Sequence, residues 1–141
     1  MNAVPFYAQE RAESCVPACV RMILAHHNIV RTESEIYDCC ETVPDGTLPS
    51  VAARCIQKFG LHATSERLKD GLESLRHQCS YSQAIVYVHL APNLGIQVIH
   101  AVIVETIDSQ QGLITVIDPA FPPHGRRIWS ISLFEIGWQL A

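Results

Sequence analysis

Apolar residues run almost unbroken from Cys15 to Ala25, with Arg21 the main interruption, and give way to the polar triplet His26-His27-Asn28. A segment apolar on nearly every face predicts a buried helix. Ser14 stands where a cap is expected, and Pro17 falls in the first turn, where a missing backbone N–H does no harm. A second helix is predicted from Glu33 to Cys40, with Thr32 as cap and Glu35 at the third position to complete a capping box. Pro44-Asp45-Gly46 reads as a turn. Leu48, Val51, Ala52, Cys55, Ile56 and Phe59 then recur at helical spacing, predicting a helix over 47–59 that Gly60 stops. A fourth, amphipathic helix is predicted around Lys69 to His77.

Beyond that point the texture changes. Ala84 to Leu90, Gln97 to Thr106 and Leu113 to Asp118 are rich in β-branched residues and predict strands. Asp108-Ser109-Gln110-Gln111-Gly112 has turn chemistry, so the last two strands are expected to form an antiparallel hairpin. A strand over 126–131 and a closing helix through Phe134 and Trp138 complete the chain. Helices followed by an antiparallel sheet define an α+β fold, with the N-terminal helices expected to pack on the C-terminal sheet. At 141 residues one core, hence one domain over 1–141, is the expectation.

Composition narrows the function. The chain is 48% hydrophobic and 17% charged, the make-up of a globular protein. Its formal net charge is −4 and no basic run exceeds Arg126-Arg127, which argues against a nucleic-acid partner. Met1 to Ser14 lacks the apolar core of a secretory signal, and no stretch approaches a membrane span. A soluble, cytoplasmic protein is therefore expected, and its six cysteines are expected to be thiols.

Among those thiols, Cys15 alone opens a helix. A thiol attacks only as thiolate, and the partial positive charge and unpaired N–H groups of a helix start favour that anion. Cys19 and Cys55 sit on apolar helical faces and read as core; Cys39, Cys40 and Cys79 have no comparable setting. Of seven histidines, His26 and His27 end the first helix, His62, His77 and His124 lie in polar segments, and only His89 and His100 fall inside strands. His100 is flanked by Val98, Ile99, Ala101, Val102, Ile103 and Val104, where a polar ring needs a fixed partner. A loop of three or five residues between the hairpin strands would place Asp118 directly across from His100, on the same face. An even loop would send the two to opposite faces. Gln9, six residues before Cys15, can supply a neutral amide donor to an oxyanion.

Gln9, the run Ser14-Cys15-Val16-Pro17-Ala18-Cys19, Asp45-Gly46-Thr47, His100-Ala101-Val102-Ile103-Val104 and Ile117-Asp118-Pro119 together resemble the bacteriocin-processing cysteine peptidases. This is a papain-like family found as the N-terminal domain of certain ABC transporters and as free-standing proteins. The resemblance spans nearly the whole chain and follows the family order Gln, Cys, His, Asp. It implies cleavage of precursor peptides after a small-residue pair, commonly Gly-Gly, with the leader docked as a helix in a shallow apolar groove. No cofactor and no metal are expected, and a peptide or protein is the expected binding partner. In transporter-linked members the nucleophile stands between Asp and Gly, where this chain has Ser14 and Val16. The Cys-x-Pro-Ala pattern looks more like the free-standing members. A transporter partner would then be a separate polypeptide, unless the sequence is part of a longer parent chain.

Three other readings stay open on sequence alone. The same triad can pass the acyl group to an amine, as a transpeptidase or cyclase does. The chain can be a leader-docking module without chemistry, a reading that the presence of all four expected residues disfavours. Cys15, Cys19 and a histidine can share a zinc ion, but no second closely spaced Cys or His pair with structural-zinc spacing accompanies them.

Overall fold

In a computed structural model that describes residues 4–68 and 71–141, the chain forms two compact units, 1–67 and 68–141. The first is helical, with α1 (Cys15–His26), α2 (Glu33–Cys39) and α3 (Pro49–Lys58). As the apolar run predicts, α1 is buried along most of its length, with Val16, Ala18, Cys19, Val20, Met22 and Leu24 all removed from solvent. The capping box at α2 is present: Thr32 Oγ1 accepts from the Glu35 N–H at 3.2 Å, and Glu35 accepts in return from the Thr32 N–H.

Two details of this unit differ from expectation. Ser14 does not cap α1; its hydroxyl turns back to accept from the Arg11 N–H at 2.9 Å and faces the Arg11 carbonyl at 3.0 Å. A serine hydroxyl can serve either the helix ahead or the turn behind, and the tight turn over 11–14 takes it here. Helix α3 starts at Pro49 instead of Thr47, because a residue preceding proline is driven out of the helical region and Leu48 is extended. Before it, Gly46 closes the predicted turn at φ +112°, a conformation that side-chain-bearing residues avoid.

The second unit holds α4 (Leu72–Cys79), β1 (Ile85–His89), α5 (Ala91–Leu94), β2 (Ile99–Asp108), β3 (Leu113–Ile117), β4 (Arg126–Ser130) and α6 (Ile131–Leu140). The expected start of the fourth helix at Lys69 lies outside the described residues; Gly71, with φ +56°, directly precedes α4. The short α5 was not expected, since four residues carry no periodicity to read. All four strands are antiparallel in the order β1-β2-β3-β4. Val86, Val88, Val102, Val104, Ile114 and Val116 point from the sheet into one core, with Leu75 of α4 and Phe134 of α6. Each such side chain contributes about 1.5–3 kcal/mol on burial. Helix α6 approaches β1 so closely that a Cβ at Gly137 would lie 2.5 Å from the His89 carbonyl oxygen, so only glycine fits there.

The hairpin corrects the expected register. Asp108 pairs with Leu113, leaving a four-residue loop where an odd one was expected. Between Val104↔Val116 and Thr106↔Thr115 the ladder slips by one residue, a β-bulge at Glu105. The bulge undoes the parity change of the even loop. With Ile103 opposite Ile117, Asp118 falls diagonal to His100 instead of directly opposite, and on the same face. Glu105 itself takes a bidentate contact from Arg126, with N···O distances of 2.8–3.1 Å.

Candidate active site

In the first unit, Cys15 is the first residue of α1 and half-buried, while Cys19, one turn on, is fully buried. Gln9 precedes the turn that leads into α1, and its amide is drawn into that turn: Nε2 donates to the carbonyls of Arg11 at 2.8 Å and Ala12 at 3.2 Å. Gln9 Oε1 is buried without a hydrogen-bonding partner among the described residues. The opposite assignment of the amide would set oxygen against two carbonyls, so the nitrogen belongs where it is.

Cys39, Cys55 and Cys79 are poor nucleophiles in their surroundings. Burial, then the neighbouring Cys55 thiol, pushes Cys39 up to about 11, and burial alone pushes Cys79 up to about 11. Cys55 is raised further, by the adjacent Cys40 thiol and by its own burial. No disulfide joins any of the six cysteines.

In the second unit His100 and Asp118 meet. His100 Nε2 lies 2.6 Å from Asp118 Oδ1, and both residues are buried, the aspartate 2% exposed. The acceptor is a carboxylate, so the shared proton sits on Nε2. The two residues share a face as expected, through a register other than the expected one.

Asp118 has further partners that the sequence did not reveal. The Ala120 N–H donates to Oδ1 at 2.8 Å, and Arg127 Nε donates to Oδ2 at 2.9 Å, with the guanidinium 3.9 Å above the Phe121 ring. Burial by itself pushes the Asp118 carboxyl up. The His100 hydrogen bond and charge, the Ala120 N–H and the Arg127 cation more than offset it, and the carboxyl is held below the usual carboxylate range. A group with a depressed folded pKa adds stability above its unfolded value of about 3.9, and loses it as pH falls through the folded value. Asp118→Asn is therefore expected to cost about 3 kcal/mol at pH 7, and the difference from the parent should shrink below pH 4. Urea titrations across that range check this; a difference that does not change with pH would contradict the linkage.

The remaining histidines play other parts. His89 Nδ1 accepts from the Ala91 N–H at 3.2 Å and holds the start of α5, and His124 Nδ1 accepts from the Arg126 N–H at 3.0 Å. His27, His62, His77 and His124 are exposed, and His26 is half-exposed. Among the described residues no group of three or more His, Cys, Asp or Glu side chains is arranged to hold a metal ion, the Cys15–Cys19 pair included. No described helix is long and apolar enough to cross a membrane.

Three helices in one unit and a four-stranded antiparallel sheet in the other are the elements of the papain-like fold, and the family match makes the chain a cysteine peptidase. The chain belongs to the Peptidase C39 family, whose model matches residues 3–141. Its fold is similar to a double-glycine-motif protease from an AMS/PCAT transporter, solved with its leader peptide. That match has a TM-score of 0.75 at 20% identity and covers 96% of this chain and 86% of the other. It is also similar to the peptidase domain of Streptococcus ComA, a bifunctional ABC transporter of a quorum-sensing pathway. There the TM-score is 0.76 at 17% identity, over 96% and 93% of the two chains. A C39-like protein from Bacillus anthracis gives 0.78 at 13% identity, over 97% and 90%. No curated protein sequence matches the chain.

Proposed function

We propose that residues 1–141 act as one peptidase domain that cleaves precursor peptides after a small-residue pair such as Gly-Gly. Cys15 is the nucleophile, His100 the general base and acid, Asp118 the residue that orients the ring, and Gln9 an oxyanion donor. The observation that supports this most is the buried 2.6 Å bond between His100 and Asp118 in a chain of the C39 family. A sheet histidine fixed by a carboxylate at Nε2 has one orientation and one nitrogen for proton transfer, the requirement for a base serving a thiol.

In this reading the position of Cys15 as the first residue of α1 favours its thiolate, through the partial positive charge of the helix start. The sulfur attacks the scissile carbonyl, and the carbonyl electron pair moves to oxygen. That oxyanion takes a hydrogen bond from the Gln9 amide, which must exchange one of its loop carbonyls for it. His100 Nδ1, carrying the proton taken from the Cys15 thiol, then passes it to the departing amine as the oxyanion's electron pair re-forms the carbonyl, and the carbon–nitrogen bond breaks to leave a thioester on Cys15. Water, giving a proton to the same nitrogen, attacks the thioester carbonyl; the carbon–sulfur bond breaks, the new C-terminal carboxyl is released, and the proton held on the ring returns to the sulfur. A leader peptide as substrate agrees with the double-glycine protease of similar fold, and an ABC transporter, on the same chain or another, is the partner class its relatives suggest.

Two measurements test this. Incubation with a synthetic precursor peptide carrying a double-glycine site should release leader and core as separate masses, whereas a ligated or cyclised mass would show aminolysis of the thioester. In iodoacetamide titrations Cys15 should alkylate first and at the lowest pH. A thiol raised to about 11, as Cys39 and Cys79 are, is about one part in 10⁴ ionised at pH 7. Equal rates at Cys15 and Cys39 would refute an activated nucleophile.

A further inference from the structure

Five residues, Glu10 to Ser14, connect Gln9 to Cys15, and no helix or strand fixes them. Helix α2 holds this connection along its length. Both oxygens of the Glu33 carboxylate lie 3.1 Å from the Glu10 N–H, and the Ser14 hydroxyl is within hydrogen-bonding reach of the same carboxylate. One turn further, Tyr37 Oη donates to Glu13 Oε2 at 2.7 Å, and the Arg11 guanidinium stacks 4.4 Å above the Tyr37 ring. Residues four apart share a helix face, so Glu33 and Tyr37 grip the connection from one side.

Glu33 is 2% exposed, and burying a carboxylate this deeply is costly unless its oxygens are satisfied. Burial pushes its carboxyl up, against the Glu10 N–H and the Ser14 hydroxyl, which favour the ionised form. Nothing in the proposed chemistry uses this group. A helix that needed only a first-turn acid would carry an exposed one, as it does at Glu35, which serves the capping box.

We propose that Glu33 and Tyr37 are positioning residues that hold the 10–14 connection and so set the spacing between the Gln9 amide and the Cys15 sulfur. The inference rests on Gln9 acting as oxyanion donor. Misplacing a reacting group by about 1 Å can lower a rate by about 10²-fold without changing how the substrate binds.

The test is a double-mutant cycle measured as kcat and KM on a double-glycine peptide. Gln9→Ala should lower kcat about 10²–10³-fold. Glu33→Gln keeps the shape and one acceptor but loses the charge, and should lower kcat about 10- to 10²-fold with KM within about 2-fold. Tyr37→Phe keeps the ring beneath Arg11 and loses only the Glu13 bond, and should lower kcat about 3-fold. If both act through the Gln9–Cys15 spacing, each loss should largely vanish in a Gln9→Ala background. The same fold-loss in both backgrounds, or parental rates in Glu33→Gln and Tyr37→Phe while Gln9→Ala is slow, would overturn the clamp alone. A parental rate in Gln9→Ala would overturn the oxyanion assignment and the clamp with it. Tyr37 is half-exposed, so Tyr37→Phe carries the cycle should Glu33→Gln fail to fold.

Discussion

Cys15→Ala is expected to abolish cleavage of a double-glycine peptide, lowering kcat by about 10⁶-fold, because in the proposed mechanism the thioester forms on Cys15. The substitution removes one sulfur from the first residue of α1, a half-buried position, and alanine favours the helix, so the fold should be retained. Peptide binding should be unchanged within a few fold, which isothermal titration of the variant with uncleaved substrate can verify. The residual rate matters as much as the loss. Cys19 lies one turn along α1 but is fully buried, so it cannot substitute for its neighbour. If Cys15→Ala processed peptide at the parental rate, the enzymatic mechanism would have to be abandoned. A variant that neither binds nor cleaves would point to a folding defect, which its far-UV circular dichroism would expose.

His100→Ala carries the second largest effect, a loss of about 10⁴–10⁶-fold in kcat. Two contributions combine in it. In the proposed mechanism the imidazole takes and returns the protons of both half-reactions, and as imidazolium it stabilises the thiolate before attack. The alkylation preference of Cys15 should therefore weaken in the same variant, an effect that loss of proton transfer alone would not produce. Removing the ring also leaves the Asp118 carboxylate buried with Ala120 and Arg127 as its remaining partners. Some loss of stability should accompany the loss of rate, and His100→Gln, which can keep a donor near Oδ1, should recover stability without recovering turnover. His89→Ala is the control. Its ring holds the start of α5 through the Ala91 N–H, so its removal should alter turnover by less than about 10-fold. Were His89→Ala the silent variant and His100→Ala the active one, the assignment of the base would be reversed.

The amino-acid order dictated the elements with local causes. The helices over 15–26 and 33–39 follow from apolar spacing and, at Thr32 and Glu35, from a cap whose partners are three residues apart. The strands follow from β-branched runs separated by turn residues. The placement of Cys15 at a helix start was equally legible, since that position is a local property. His100 could be singled out because a polar ring in an apolar strand demands a partner.

What only three-dimensional packing decided is who that partner's neighbours are and how each is reached. Glu105 has no residue-type mark of a bulge, yet the slip there brings Asp118 to the His100 face past an even loop. Arg127 could be read from sequence only as half of a short basic run, and Glu33 only as an acid in a first helical turn. Whether Ser14 caps α1 or turns back to Arg11 depends on a loop conformation that its own sequence leaves open. In each case the deciding energy lies in a hydrogen bond or charge contact set by how the backbone packs, which residue type and periodicity do not encode.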